Sequence, residues 1–267
     1  MYMIKKLMPV LLFGLLLSGC NQKHKGHSAN DETAAVKPKT GKAAKPKILF
    51  VLTNHDQKGN TGKKTGFFLS EAAHPWDVLK NKYVIEFVSP KGGKAPVDGF
   101  DLNDPVNKEF WGNPEIQYKI NHTLKPSEIN PDDYVAIHFV GGHGAMWDFP
   151  ESQQLAEIAA KIYEHHGVVS AVCHGPAGLI NIKLADGPYL IAGKKITGFS
   201  NEEEKAVKLT NVVPFLLENK LKERGGIYTS SSKFTIHVVH DGRLITGQNP
   251  QSAKKVGKEV LKELQKD

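Results

Sequence analysis

The chain has 267 residues, a formal net charge of +7 and only two cysteines. Lys5, Lys6 and the seven lysines of residues 21–47, set against Asp31 and Glu32, account for the whole positive excess, so residues 48–267 carry no net charge. That excludes a basic nucleic-acid-binding domain and leaves about 220 residues, the length of one α/β domain.

Lys5 and Lys6 precede Leu7–Leu17, an apolar run of 11 residues. It is shorter than the roughly 20 residues a spanning helix needs and has the layout of a secretory signal peptide. Leu17-Ser18-Gly19-Cys20 resembles the bacterial lipobox, which implies that residues 1–20 are a lipoprotein signal peptide and that Cys20 is acylated. An ordinary signal peptide with an incidental cysteine is the alternative. Acylation predicts a lipid anchor on the extracytoplasmic side of a cell membrane. Residues 21–47 hold no large apolar side chain except Val36. They read as a disordered basic tether with a reach of about 30 Å, suited to anionic headgroups. If Cys20 carries lipid, Cys173 is left as a lone thiol.

The folded part, residues 48–267, begins with the apolar run Ile48–Thr53, which reads as a strand buried on both faces. Tyr83–Val88 reads as a second strand, and residues 89–133 as long connections with short helical pieces. Tyr134–Val140 is a third strand, stopped by Gly141-Gly142. Helical spacing of Leu155, Ile158, Ala159 and Ile162 predicts a helix within Pro150–His166, ended by Gly167. Val168–Val172 is a fourth strand. Helices are predicted over Glu202–Leu209, Val212–Glu223 and Ser252–Leu264, and late strands over Thr235–Val239 and Leu244–Gly247. Strands alternating with helices predict an α/β fold, a single-domain three-layer sandwich with a mainly parallel central sheet. No internal repeat, zinc-type spacing or phosphate-binding glycine loop is present.

Val168–Val172 runs directly into Cys173-His174-Gly175-Pro176-Ala177. Ala171-x-Cys173-x-Gly175 has the form of a nucleophile elbow, a sharp strand-to-helix turn whose small neighbours avoid collision. Cys173 is therefore expected at the carboxyl end of a central strand, where α/β ligands bind. A helix N-terminus just behind it would lower the thiol's pKa and populate the thiolate near neutral pH. A buried inert cysteine is the ordinary reading of a lone thiol, and the turn favours the nucleophile.

Ala171–Ala177 resembles the cysteine motif of the ThiJ/PfpI superfamily, which implies a flavodoxin-like, class I glutamine amidotransferase-like fold. Thr65–Pro75, Gly141–Pro150, Ile196–Glu204 and Asp241–Pro250 are similar to stretches of its branch of glutathione-independent glyoxalases, some also described as chaperones or deglycases. Order and spacing hold from residue 48 nearly to the end. The resemblance implies Cys173 as nucleophile, His174 as its proton partner and Glu204 as the acid orienting that histidine, with Glu203 one alignment step away. It implies Glu71 as a carboxyl against the thiol, and Gly141 and Gly142 as the approach to an oxyanion hole formed by the Gly142 and His174 amides. His143 would line the pocket, while His55, His74 and Asn249 are weaker candidates. The implied reaction turns methylglyoxal or a related small reactive carbonyl into lactate, with no cofactor and no metal. A cysteine amidohydrolase or peptidase on the same site, and a holdase or oxidant sensor, stand as alternatives. A homodimer is implied by analogy only. The Pro-Trp pair expected near Tyr228–His237 is absent, so the pocket rim there should differ.

Overall fold

The computed structural model describes residues 45–266, which belong to one compact unit. The leader, Cys20 and all but the end of the tether lie outside the described residues. Strands are β1 (Lys47–Val51), β2 (Phe67–Phe68), β3 (Val84–Val88), β4 (Val97–Asp98), β5 (Tyr134–Phe139), β6 (Val168–Val172), β7 (Lys195–Ile196), β8 (Ile227–Tyr228), β9 (Val238–Asp241) and β10 (Leu244–Gly247). Helices are α1 (Leu69–Leu79), α2 (Pro105–Gly112), α3 (Pro114–Asn121), α4 (Ala145–Asp148), α5 (Gln153–Glu164), α6 (Asn201–Ala206), α7 (Leu217–Glu223) and α8 (Ala253–Glu263).

The central sheet runs β3-β1-β5-β6-β10-β9, parallel throughout except for the β10–β9 edge hairpin. The apolar runs form its middle because parallel strands are covered on both faces. Every residue of β6 is buried, and β6 packs against both α5 and α8. Helices α1 and α8 pack closely on each other. A side chain at Gly257 would begin 2.8 Å from the Pro75 Cα atom, so glycine permits that approach. This layering matches the expected α/β sandwich.

Three boundaries differ from expectation, each for a local reason. The helix predicted from Val212 begins only at Leu217, because Pro214 disfavours helical backbone at the residue before it. The strand expected at Thr235–Val239 begins at Val238, since Phe234 takes a φ of 57° in a preceding turn. Helix α5 ends through His166, whose φ is 67°. Gly167 is needed for a different reason, since a Cβ there would lie 2.6 Å from the Ile162 carbonyl oxygen. Helix α1 was not foreseen, because Pro75 lies inside it and interrupts the helical signal.

The membrane expectation rested on residues 1–20, outside the described residues. Among the described residues no helix is long and apolar enough to cross a membrane.

Leu49, fully buried on β1 between β3 and β5, measures the core. Leu49→Ala is expected to cost about 2–5 kcal/mol. It should lower the urea midpoint with an unchanged m-value in equilibrium unfolding.

Candidate active site

The site lies at the carboxyl ends of β5 and β6. Cys173 follows β6 directly and holds a φ of 59°, a region that residues other than glycine seldom occupy. Its backbone is pinned on both sides. The Cys173 N–H donates to the Gly247 carbonyl at 2.9 Å, and the Phe199 N–H donates to the Cys173 carbonyl at 2.8 Å. Such over-determination is what allows strain to persist at a nucleophile. Gly175 completes the elbow, since a Cβ there would sit 2.2 Å from the Phe139 carbonyl oxygen.

His174 places Nδ1 3.3 Å from the Cys173 Sγ and Nε2 2.8 Å from Glu204 Oε2. His143 places its Nε2 3.0 Å from the other oxygen of the same carboxylate. Burial alone would raise the Glu204 pKa, yet the two imidazoles bring it down to about 2. An ionised carboxylate only accepts, so both Nε2 atoms carry protons. Burial, then the neighbouring His174, lowers the His143 pKa to about 4, so its ring is neutral at pH 7. With its Nε2–H given to Glu204, His174 turns Nδ1 toward the thiol.

Glu203 is buried too, but it serves the rim. Its Oε2 accepts from the Ser200 N–H at 3.0 Å, closing a capping box. Its Oε1 accepts from the Phe234 N–H at 2.8 Å and from Asn249 Nδ2 at 2.9 Å. The geometry thus sets Glu204, not Glu203, against the histidine.

Glu71, in the first turn of α1 and fully buried, faces the thiol from the other side. Its two oxygens have no hydrogen-bond partner of good geometry among the described residues, although they lie beside Cys173 and the Gly141 amide. Burial pushes this carboxyl well above the usual carboxylate range. Burial, followed by the adjacent Glu71 carboxyl, also pushes the Cys173 thiol up. This corrects the expectation of a thiolate populated by a helix N-terminus. Only the five-residue 3-10 segment Gly175–Leu179 stands behind the cysteine, and burial beside an acid outweighs it. The thiol must be deprotonated as it reacts.

Gly141 has to lack a side chain. A Cβ there would come within 2.3 Å of a Glu71 carboxyl oxygen and 2.4 Å of the Val172 carbonyl. Gly142 has a φ of 99°, and its missing Cβ leaves room for the Gly66 carbonyl. Among the described residues the Gly142 and His174 N–H groups donate to no backbone carbonyl.

Cys173, His174, His143 and Gly142 open onto a cavity of about 390 Å³ walled by Phe68, Phe199, Phe234, Val207 and Leu209, with Lys58 and Asp98 among its polar lining. The aromatic wall and the Lys58–Asp98 pair, at 3.2 Å, were not anticipated, because scattered loop residues leave no periodic signal. Phe234 supplies the rim where the expected Pro-Trp pair is absent. His55 stacks on Trp147 and His74 pairs with Asp104; neither lines this cavity. The ligand atoms of His143, His174 and Glu204 lie within 4.8 Å of one another and are the groups that could hold a metal. Both carboxylate oxygens are already engaged by the two Nε2–H groups, which suits an orienting network.

Residues 64–263 match the DJ-1/PfpI family. Glyoxalase 3 of Candida albicans is 35% identical over 228 residues, covering 80% of this chain and 97% of the relative. The glutathione-independent glyoxalase HSP31 of Saccharomyces cerevisiae is 35% identical over 79% of this chain and 94% of its own. Among solved structures, Rapid Encystment Protein 24 KDa of Francisella tularensis superposes with a TM-score of 0.79 at 40% identity, covering 82% and 99% of the two chains. Glyoxalase III of Candida albicans superposes with a TM-score of 0.75 at 34% identity, covering 82% and 97%. The lipid-anchored, extracytoplasmic location does not stand. The glyoxalase relatives are matched over 94–97% of their own length by about four-fifths of this chain, so almost nothing in them corresponds to a leader and tether.

Two depressed pKa values make the site acid-labile. Below pH 6.5 an unfolded His143 takes a proton that the folded ring refuses until about pH 4; below 4.5 the same holds for Glu204 until about 2. The contribution of these two groups is therefore full above pH 6.5 and is lost as pH drops through both windows. Glu204→Gln is expected to flatten the lower window: urea midpoints at pH 7, 4.5 and 3 should fall less from 4.5 to 3 than in wild type.

Proposed function

The chain belongs to the DJ-1/PfpI family, and from that premise we propose that it is a glutathione-independent glyoxalase that converts methylglyoxal, or a related small reactive carbonyl, to lactate or the matching hydroxy acid. The observation that carries this reading is the thiol held between two buried carboxyl groups with opposite surroundings. Glu204, its pKa brought down to about 2 by two imidazoles, stands behind His174, and Glu71, its pKa raised by burial, stands at the sulfur as the acid. A simple acyl hydrolase has no use for the second acid, whereas moving a proton between adjacent carbons needs an acid and a base.

His174 Nδ1 takes the thiol proton as Sγ adds to the aldehyde carbon, and the proton passes to the aldehyde oxygen to give a hemithioacetal. The Gly142 and His174 amides hold that oxygen while it carries charge. His174, neutral again, removes the hydrogen from the carbon bearing sulfur while Glu71 protonates the ketone oxygen, forming an enediol. The imidazolium then returns its proton to the adjacent carbon and Glu71 recovers one from the hydroxyl, leaving a thioester. Water hydrolyses the thioester, releasing lactate and the thiol. His143 holds Glu204 in place through its second oxygen, and the 390 Å³ cavity has room for substrates larger than methylglyoxal.

Lactate formation from methylglyoxal without glutathione is the test. Wild type is expected to turn over, Cys173→Ala to lose all turnover, and Glu71→Gln to lose about 10²–10⁴-fold in kcat. Absence of wild-type turnover, or full activity in Cys173→Ala, overturns the reading.

A further inference from the structure

Helix α1 carries Glu71 four residues before Pro75. In an α-helix the carbonyl of residue 71 accepts from the N–H of residue 75, and proline has none. The Glu71 carbonyl is therefore freed from its helical partner at the residue whose carboxyl faces the nucleophile. The group that takes it up is His138 on β5, whose Nε2 lies 3.4 Å from that carbonyl oxygen. His138 is buried against the Phe50 ring, with centroids 4.9 Å apart. Its Nδ1 lies 2.9 Å from Ser170 Oγ, and Ser170 is its register partner on β6.

The proton positions follow. A carbonyl only accepts, so Nε2 must donate. Burial lowers the His138 pKa to about 4, leaving one ring proton at pH 7 and making Nδ1 an acceptor for the Ser170 hydroxyl. Ser170 stands three residues before Cys173 on the same strand. A continuous chain thus runs from the acid's backbone through the imidazole to the strand that carries the thiol.

We propose that Pro75 and His138 together are positioning residues for Glu71: the proline releases the Glu71 carbonyl from the helix, and the imidazole fastens it to the strand that ends in Cys173. The inference rests on Glu71 acting on the thiol, as in the function above. Glu71 faces Cys173, with Asp98 nearby; the thiol also feels Glu203 and the His174 amide. Loss of the His138 bond lets the first turn of α1 move and changes how tightly acid and thiol share a proton.

The experiment follows alkylation of the Cys173 peptide by iodoacetamide against pH, by mass spectrometry on the full chain, beside kcat and KM for methylglyoxal. His138→Leu is expected to shift the alkylation midpoint by about half a pH unit or more and to lower kcat about tenfold or more at nearly constant KM. His138→Gln, which keeps a donor near the Nε2 position, should restore most of both. In a Pro75→Ala background, where residue 75 regains an N–H for the Glu71 carbonyl, His138→Leu should have little effect, a non-additivity that direct stabilisation of the fold does not produce. An unchanged midpoint in His138→Leu, or equal effects in both backgrounds, overturns the proposal. Should His138→Leu fail to fold alone, recovery of folding with a wild-type midpoint in Pro75→Ala/His138→Leu supports it, and failure of the double variant as well overturns it. The alkylation arm needs no turnover, so the expected shifts in a protein inactive on methylglyoxal would uphold the positioning while removing the glyoxalase reading.

Discussion

The site depends on a cysteine held in left-handed backbone at the end of a buried parallel strand. A φ of 59° at Cys173 is tolerated because its amide is tied to Gly247 on the neighbouring strand β10 and its carbonyl to Phe199. The bend brings the His174 amide beside Gly141 and puts Nδ1 of the same residue near the sulfur. A straight continuation of β6 would separate these groups by alternation across the sheet. Backbone strain, offset by the parallel sheet, is thus the source of the site's geometry.

Around that bend the protein shifts two carboxyl groups in opposite directions. Glu204 and Glu71 are both buried, yet the pKa of one is lowered and that of the other raised. Two imidazole N–H groups donate to Glu204, while the Glu71 oxygens have no hydrogen-bond partner of good geometry among the described residues. Burial is common to both, and the difference lies in their partners. The thiol's pKa is raised in turn by burial and by the adjacent Glu71 carboxyl, so the state of the sulfur follows from that pair and not from the five-residue 3-10 segment behind it.

Much of this was legible in the residues. Apolar runs identified the parallel strands β1, β5 and β6, because burial on both faces leaves no alternation to confuse with a surface element. Small residues around Cys173 marked the elbow. The choice between Glu203 and Glu204 was not legible, since adjacent positions on one helical turn differ only in direction and their partners come from distant loops. Helix α1 was hidden by Pro75, and His138 by its place in a run that reads as plain core. The thiol's state was misjudged because the acid beside it lies 102 positions away in the chain, whereas the helix behind it is next in line.

Position 141 constrains this arrangement further. The space that a single methyl group would fill there is bounded at once by the Glu71 carboxyl, the Val172 carbonyl and the His174 amide. Anything larger than hydrogen at that point forces the acid away from the sulfur or unbends the elbow. One letter, read directly after the third long strand, therefore carries the close seating of the Glu71 carboxyl against the thiol in this fold.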